Sequence, residues 1–154
     1  MSNQPSHRLT ASTDPSHGPT VSTDPSHRPT VSTDSRHRLG QLGECLAAEH
    51  LIKCGFQILE RNYRTRWGEL DIVAFDSMTL AFCEVKSRRL IAGGGTPFDA
   101  LHGTKRARVR KMAGSWLIER RQRPYAEVVR FDAIGVTFDP GGSLLSIEHL
   151  EGAF

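Results

Sequence analysis

Glu69-Leu70-Asp71-Ile72-Val73-Ala74-Phe75 and Leu80-Ala81-Phe82-Cys83-Glu84-Val85-Lys86 are two apolar runs separated by Asp76, Ser77, Met78 and Thr79. Both are rich in strand formers on each of their faces, the pattern of central strands covered above and below. The four residues between them suit a short hairpin loop. Set into this apolar context are Glu69, Asp71, Glu84 and Lys86. Side chains alternate along a strand, so Glu69 and Asp71 share a face, as do Glu84 and Lys86. With an even loop, Phe75 pairs with Leu80, Asp71 stands opposite Glu84, and Glu69 stands opposite Lys86. Like charges placed side by side in a half-buried sheet repel. A hard divalent cation with oxygen ligands would relieve that repulsion, which makes Mg²⁺ or Mn²⁺ the expected cofactor. A lysine beside them supplies a point charge for a phosphate or a water.

Upstream, residues 41–54 read as a helix. At about 100° per residue, Cys45, Ala47, Ala48, Leu51 and Ile52 gather on one side, and Glu49, His50 and Lys53 on the other. Glu44 falls within the apolar arc, where an uncompensated carboxylate is unfavourable. Gly55 is a natural stop. A first strand is expected over Phe56–Tyr63. Downstream, a helix is expected over residues 104–122, with Val109, Met112, Ala113, Trp116 and Leu117 as its buried stripe and Pro124 beyond its end. Strands at Glu127–Phe138 and, more weakly, Ser143–Glu148 complete an α-β-β-β-α-β order with an added strand. The expected fold class is therefore α/β, with a central sheet flanked by helices.

Residues 1–40 differ in kind. Ser6 opens a decapeptide, Ser-His-Arg-Leu-Thr-Ala-Ser-Thr-Asp-Pro, that recurs from Ser16 and Ser26 and keeps His7, His17, His27 and His37 in step. A period of ten is too short for a solenoid unit. A segment so poor in large apolar residues cannot offset its ordering entropy, so it is expected to be a disordered tail before one folded domain at 41–154.

Composition narrows the function classes. With 154 residues and a net charge of +3, the chain suits a single core. No run of about 18 apolar residues is present to span a membrane, and the N-terminus lacks the apolar segment of a secretory signal. Cys45, Cys54 and Cys83 form no C-x-x-C pair, which argues against a disulfide framework and a zinc knuckle. Cys45 and Cys83 are expected to be small buried hydrophobes of a cytoplasmic protein.

The basic residues cluster. Arg61, Arg64 and Arg66 precede the second strand, and Arg88 and Arg89 follow Lys86. Lys105, Arg106, Arg108, Arg110 and Lys111 crowd the start of the second helix, with Arg120, Arg121 and Arg123 at its end. Cations at a helix start oppose its dipole, and a phosphate partner would compensate. Arg61, Arg64, Arg66, Arg88, Lys105, Arg106 and Arg108 are the expected nucleic-acid contacts, reading backbone and shape more than sequence. Gly93-Gly94-Gly95 lacks the lysine of a phosphate-binding loop and reads as a flap. Asp132, in an apolar strand, is either structural or near the site, and the isolated His102 and His149 point to no role.

Gly43-Glu44, Arg61-Asn62, Gly68-Glu69-Leu70-Asp71-Ile72-Val73-Ala74 and Glu84-Val85-Lys86-Ser87-Arg88 occur in that order. Together they resemble the YraN-like family of uncharacterised bacterial proteins, over nearly all of residues 41–150. That family is similar to enzymes of the restriction-endonuclease-like fold, notably archaeal Holliday junction resolvases. The resemblance implies an αβββαβ core with a central mixed sheet. It also implies that Asp71, Glu84 and Lys86 match the PD-(D/E)xK motif, with Leu70 in place of its proline, and that Glu44 matches the resolvases' helix glutamate. Asp71, Glu84 and Glu44 are then the expected metal ligands, and these three with Lys86 the expected catalytic set of a Mg²⁺-dependent endonuclease. Its substrate would be structured DNA, such as a junction or flap, in repair or recombination, and the resemblance makes a homodimer plausible. The competing expectation is a module that binds nucleic acid for a partner enzyme without cutting it.

Overall fold

The computed structural model describes residues 31–92, 95–99 and 103–154. Helix α1 (Val31–Lys53) is followed by strands β1 (Gln57–Thr65), β2 (Gly68–Phe75) and β3 (Thr79–Arg89). Helix α2 (Gly103–Glu119) then leads into β4 (Val128–Phe138) and β5 (Leu144–Leu150). The five strands form one sheet in sequence order. Every neighbouring pair is antiparallel except β3 and β4, which run parallel, so the sheet is mixed. This is the expected α/β order with its added strand, and it is compatible with a restriction-endonuclease-like core.

Alternation along β3 sorts the core into two layers. Ala81, Cys83 and Val85 pack with Ala47, Ala48 and Leu51 of α1. Leu80 and Phe82 pack with Val109, Met112, Ala113 and Trp116 of α2. Each helix thus covers one face of the sheet, which is why the central strands are apolar on both. The hairpin register is the even one, with Phe75 opposite Leu80. Its turn is held by the Asp76 carboxylate, which accepts from the N–H groups of Met78 and Thr79 at 3.3 and 2.8 Å.

Three expectations are corrected. Helix α1 begins at Val31, ten residues before the expected boundary at 41, so residues 31–40 are helical and not part of a disordered tail. No proline occurs between Pro29 and Pro97, so none interrupts the helix. Asp34 and Arg38 pair across one turn at 3.0 Å, and Leu39 packs onto the α1-side core. Residues 1–30, with His7, His17 and His27, lie outside the described residues, as do Gly93 and Gly94 of the expected flap.

Cys45 is exposed, as is Ile52, whose surface remains 58% accessible. Both lie about 100° or more around the helix from Leu51, whereas Glu44 lies only ~20° from it. The buried arc is therefore narrower than the one drawn from hydrophobicity alone. The third correction concerns α2, which stops at Glu119, short of residue 122.

Candidate functional site

The pairing of β2 with β3 runs from Phe75–Leu80 to Ile72–Cys83. The next pair in that register would be Asp71 and Glu84. There the Asp71 side chain takes over the role of a backbone acceptor: the N–H of Val85 donates to its Oδ2 at 2.6 Å. The two strands part at this point, and the acidic residues line the fork.

Lys86 Nζ donates to Glu84 Oε1 at 2.5 Å and lies 3.3 Å from the Val85 carbonyl oxygen. Glu84 is buried and Lys86 half-buried. Burial, and next the neighbouring Glu84 carboxylate, push the Asp71 carboxyl up to about 7. The Val85 N–H and Lys86 act in the other direction, and Glu44 adds to the repulsion. Asp71, Glu84, Lys86 and Glu44 are thus within electrostatic reach of one another, as the alternation of the strands and the helix projection require.

Helix α1 reaches the fork because Gly43 lets it. A Cβ on Gly43 would stand 1.7 Å from Ser87 Oγ and 2.9 Å from Ser87 Cβ, so only glycine permits this approach of α1 to β3. The adjacent Glu44 is then held at the fork by Asn62. With its amide oriented to satisfy its surroundings, Asn62 donates to Glu44 Oε2 and to Glu69 Oε1, each at 3.0 Å. Asn62 has φ 54°, a left-handed conformation that asparagine tolerates better than most residues. No role was expected for this residue. The signal for it, an asparagine inside a strand pattern, is weak in sequence alone.

Glu69 was expected to face Lys86. Its recorded ion pair is instead with Arg64, at 3.4 Å. Arg64 is directly opposite it on β1, and that placement decides the pairing.

The donor set is all oxygen, which fits a hard divalent cation and not a soft one. Among the described residues no three His, Cys, Asp or Glu side chains stand as a ready-made cage. Asp71 is engaged by the Val85 N–H and Glu84 by Lys86. Asp71 and Glu84 could take up a cation by turning toward it, with Glu44 behind them.

The expected basic contacts are spread over several elements. Arg61 reaches Cys45 Sγ at 3.5 Å, and Arg66 lies over the Trp67 ring at 4.3 Å. Arg106 donates to the Ala153 carbonyl at 3.2 Å. Arg88 lines a groove with Arg36 and Arg89 beside the end of β3. Arg108 lines a cavity with Arg66, Trp67 and Lys111. The side chain of Lys105 lies outside the described residues.

Asp132, which the sequence leaves as structural or near the site, is fully buried. It accepts from Arg130 Nε at 2.9 and 3.1 Å and from the Gly152 N–H at 3.0 Å, and it lies 2.9 Å from His149 Nε2. It ties the C-terminal strand and the residues after it to β4.

The chain thus combines a mixed sheet between two helices with an acidic cluster and a lysine where two central strands part. A family model described as "Uncharacterised protein family UPF0102" matches residues 43–136, from Gly43 of the helix to Val136 of β4. A UPF0102 protein of Parafrankia sp. (strain EAN1pec) is 47% identical over 117 residues, covering 76% of this chain and 96% of that protein. One from Nocardia farcinica is 46% identical over 116 residues, covering 75% and 88%. One from Geobacter metallireducens is 42% identical over 116 residues, covering 75% and 91%. The chain belongs to the UPF0102 family. No helix among the described residues is long and apolar enough to cross a membrane.

Proposed function

We propose that this chain binds nucleic acid and hydrolyses phosphodiester bonds in structured DNA, at the fork between β2 and β3. The observation that carries this reading is the placement of Asp71 and Glu84 side by side where the strands part, with Lys86 and Glu44 against them. A fold holds like charges together at such a cost where they have work to do. Asp71 and Glu84 would hold a Mg²⁺ or Mn²⁺ ion, with Glu44 as a further acceptor. When bound, that ion would lower the charge on the phosphate and activate water. Lys86 would give up its contact with Glu84 to hold the attacking water or a phosphate oxygen. Asn62 keeps Glu44 turned inward, and the Val85 N–H fixes the Asp71 carboxylate. Three cysteines without a disulfide suit the reducing cytoplasm.

A second reading has its own support. Glu84 is paired with Lys86 and the carboxylates form no closed cage, which suits a module that binds nucleic acid for a partner enzyme without cutting it. Incubation of the protein with labelled four-way junction, flap, single-stranded and duplex DNA, in Mg²⁺, Mn²⁺ or EDTA, separates the two. Metal-dependent cutting that Lys86→Ala abolishes while binding persists is the expected outcome. Binding unchanged in EDTA, with no cleavage in either metal, replaces the enzyme by the module.

A further inference from the structure

Arg66, Trp67, Ala107, Arg108 and Lys111 line an open cavity of about 390 Å³, between the β1–β2 turn and the exposed side of α2. That volume is near the lower end of the roughly 300–1,000 Å³ typical of small-ligand sites. The turn is rigidly built: Thr65 Oγ1 donates to the Gly68 carbonyl at 3.1 Å and accepts from the Trp67 N–H at 3.1 Å. Gly68, at φ 138°, brings the turn against Met112 and Arg108, where a Cβ would stand 3.3 Å from Met112 Sδ. Trp67 is half-buried against the α2-side core, and the Arg66 guanidinium lies over its ring at 4.3 Å. The two make a stacked platform at the mouth of the cavity.

Several cations elsewhere in the fold are paired with acids. Arg64 is paired with Glu69, Arg120 with Glu60, and Arg130 with Asp132 and Glu151. Among the described residues, Arg66, Arg108 and Lys111 have no ion-pair partner. Three uncompensated cations facing one cavity repel one another, and an anion relieves that repulsion. A flat π-platform beside a phosphate-sized charge cluster is the chemistry that holds an unstacked nucleotide: the base on the ring and guanidinium, the phosphate on the cations.

We propose that this cavity seats an unpaired nucleotide. The chain then prefers nucleic acid with a single-stranded arm over continuous duplex. The inference rests on the nucleic-acid-binding reading above and sharpens it. Trp67 lies four residues along the chain from Asp71.

The test is binding by the full chain in EDTA to a forked duplex, a blunt duplex of equal length, oligo(dT) and oligo(U), read by anisotropy and by tryptophan fluorescence. The fork and the single strands should bind about tenfold more tightly than the duplex and quench the fluorescence. In Trp67→Leu, which keeps an apolar side chain on the core, the quenching and the preference should both disappear. Arg108→Ala with Lys111→Ala, at exposed positions, should shrink the salt slope for oligo(dT) by about 0.7 per cation. Equal affinity for fork and duplex, or a preference that survives Trp67→Leu, overturns the nucleotide seat and leaves the nucleic-acid reading standing. Absence of binding to all four probes overturns both.

Discussion

Asp132 on β4 and Asp71 on β2 lie on the two strands that flank β3, and their surroundings are opposite. Asp132 on β4 pairs with Cys83 of β3, and Glu84, beside Asp71, is the next residue along β3. Burial alone would raise the Asp132 carboxyl, but hydrogen bonds from His149, the Gly152 N–H and Arg130 outweigh it and hold the group below the usual carboxylate range. Asp71 has one backbone donor and faces Glu84 and Glu44, and its carboxyl is pushed up to about 7. The first acid is fully compensated and fastens the C-terminus to the core. The second is left under repulsion from Glu84 and Glu44. The contrast separates a compensated carboxylate from an uncompensated one, where burial alone would not.

The largest effect that could break this comparison is at Asp132. Asp132→Ala removes one of the two acidic partners of Arg130, leaving it Glu151, and frees the Gly152 N–H, which should lower stability by about 2–4 kcal/mol in denaturant unfolding. Because the folded-state value of Asp132 is depressed, its contribution is complete above the ordinary carboxylate range and is lost as pH falls through the folded value. The wild type should therefore be acid-labile, and the variant should lose less stability on acidification. A variant as stable as wild type at pH 7 would remove Asp132 as an anchor.

A smaller loss is expected where α1 meets the fork. Gly43→Ala forces a Cβ into Ser87 and should cost roughly 1–3 kcal/mol, although alanine is otherwise the better helix former. Ser87→Gly in the same chain should restore most of it. Failure of the second substitution to rescue the first in thermal unfolding would mean that the close approach is not what demands glycine.

The smallest effect has the opposite sign. Asp71→Asn keeps an acceptor for the Val85 N–H and removes a charge beside Glu84. Since the folded-state value of Asp71 is raised, the folded state loses stability as pH climbs from the ordinary carboxylate range to about 7, and the deficit persists above it. At pH 8 in EDTA the variant should be more stable by about 1–2 kcal/mol, and at pH 4 the two should coincide. Mg²⁺ should raise the Tm of the wild type and not that of the variant. Destabilisation by Asp71→Asn at pH 8 would make the two acids alike and end the distinction.

Much of this was legible from residue order. Strand alternation with an even hairpin loop implies that Asp71 meets Glu84, because a shift of one residue would turn the apolar set to the wrong face. The 3.6-residue period puts Glu44 on the buried arc of α1 and Trp116 in the stripe of α2 for the same reason: local periodicity decides which side chains share a face. What stayed hidden depends on contacts between residues far apart in the chain. Besides the nearby Arg130, Asp132 is held by His149 and Gly152, 17 and 20 positions away. Glu69 found Arg64 because β1 lies beside β2, and Asn62 reaches Glu44 because Gly43 lets the helix close on the sheet. The sequence by itself determined the elements, their order and the faces on which the charges lie, since these follow from backbone periodicity and apolar patterning. The tertiary structure alone decided which charges are compensated, because compensation depends on distances across the fold that no local pattern encodes.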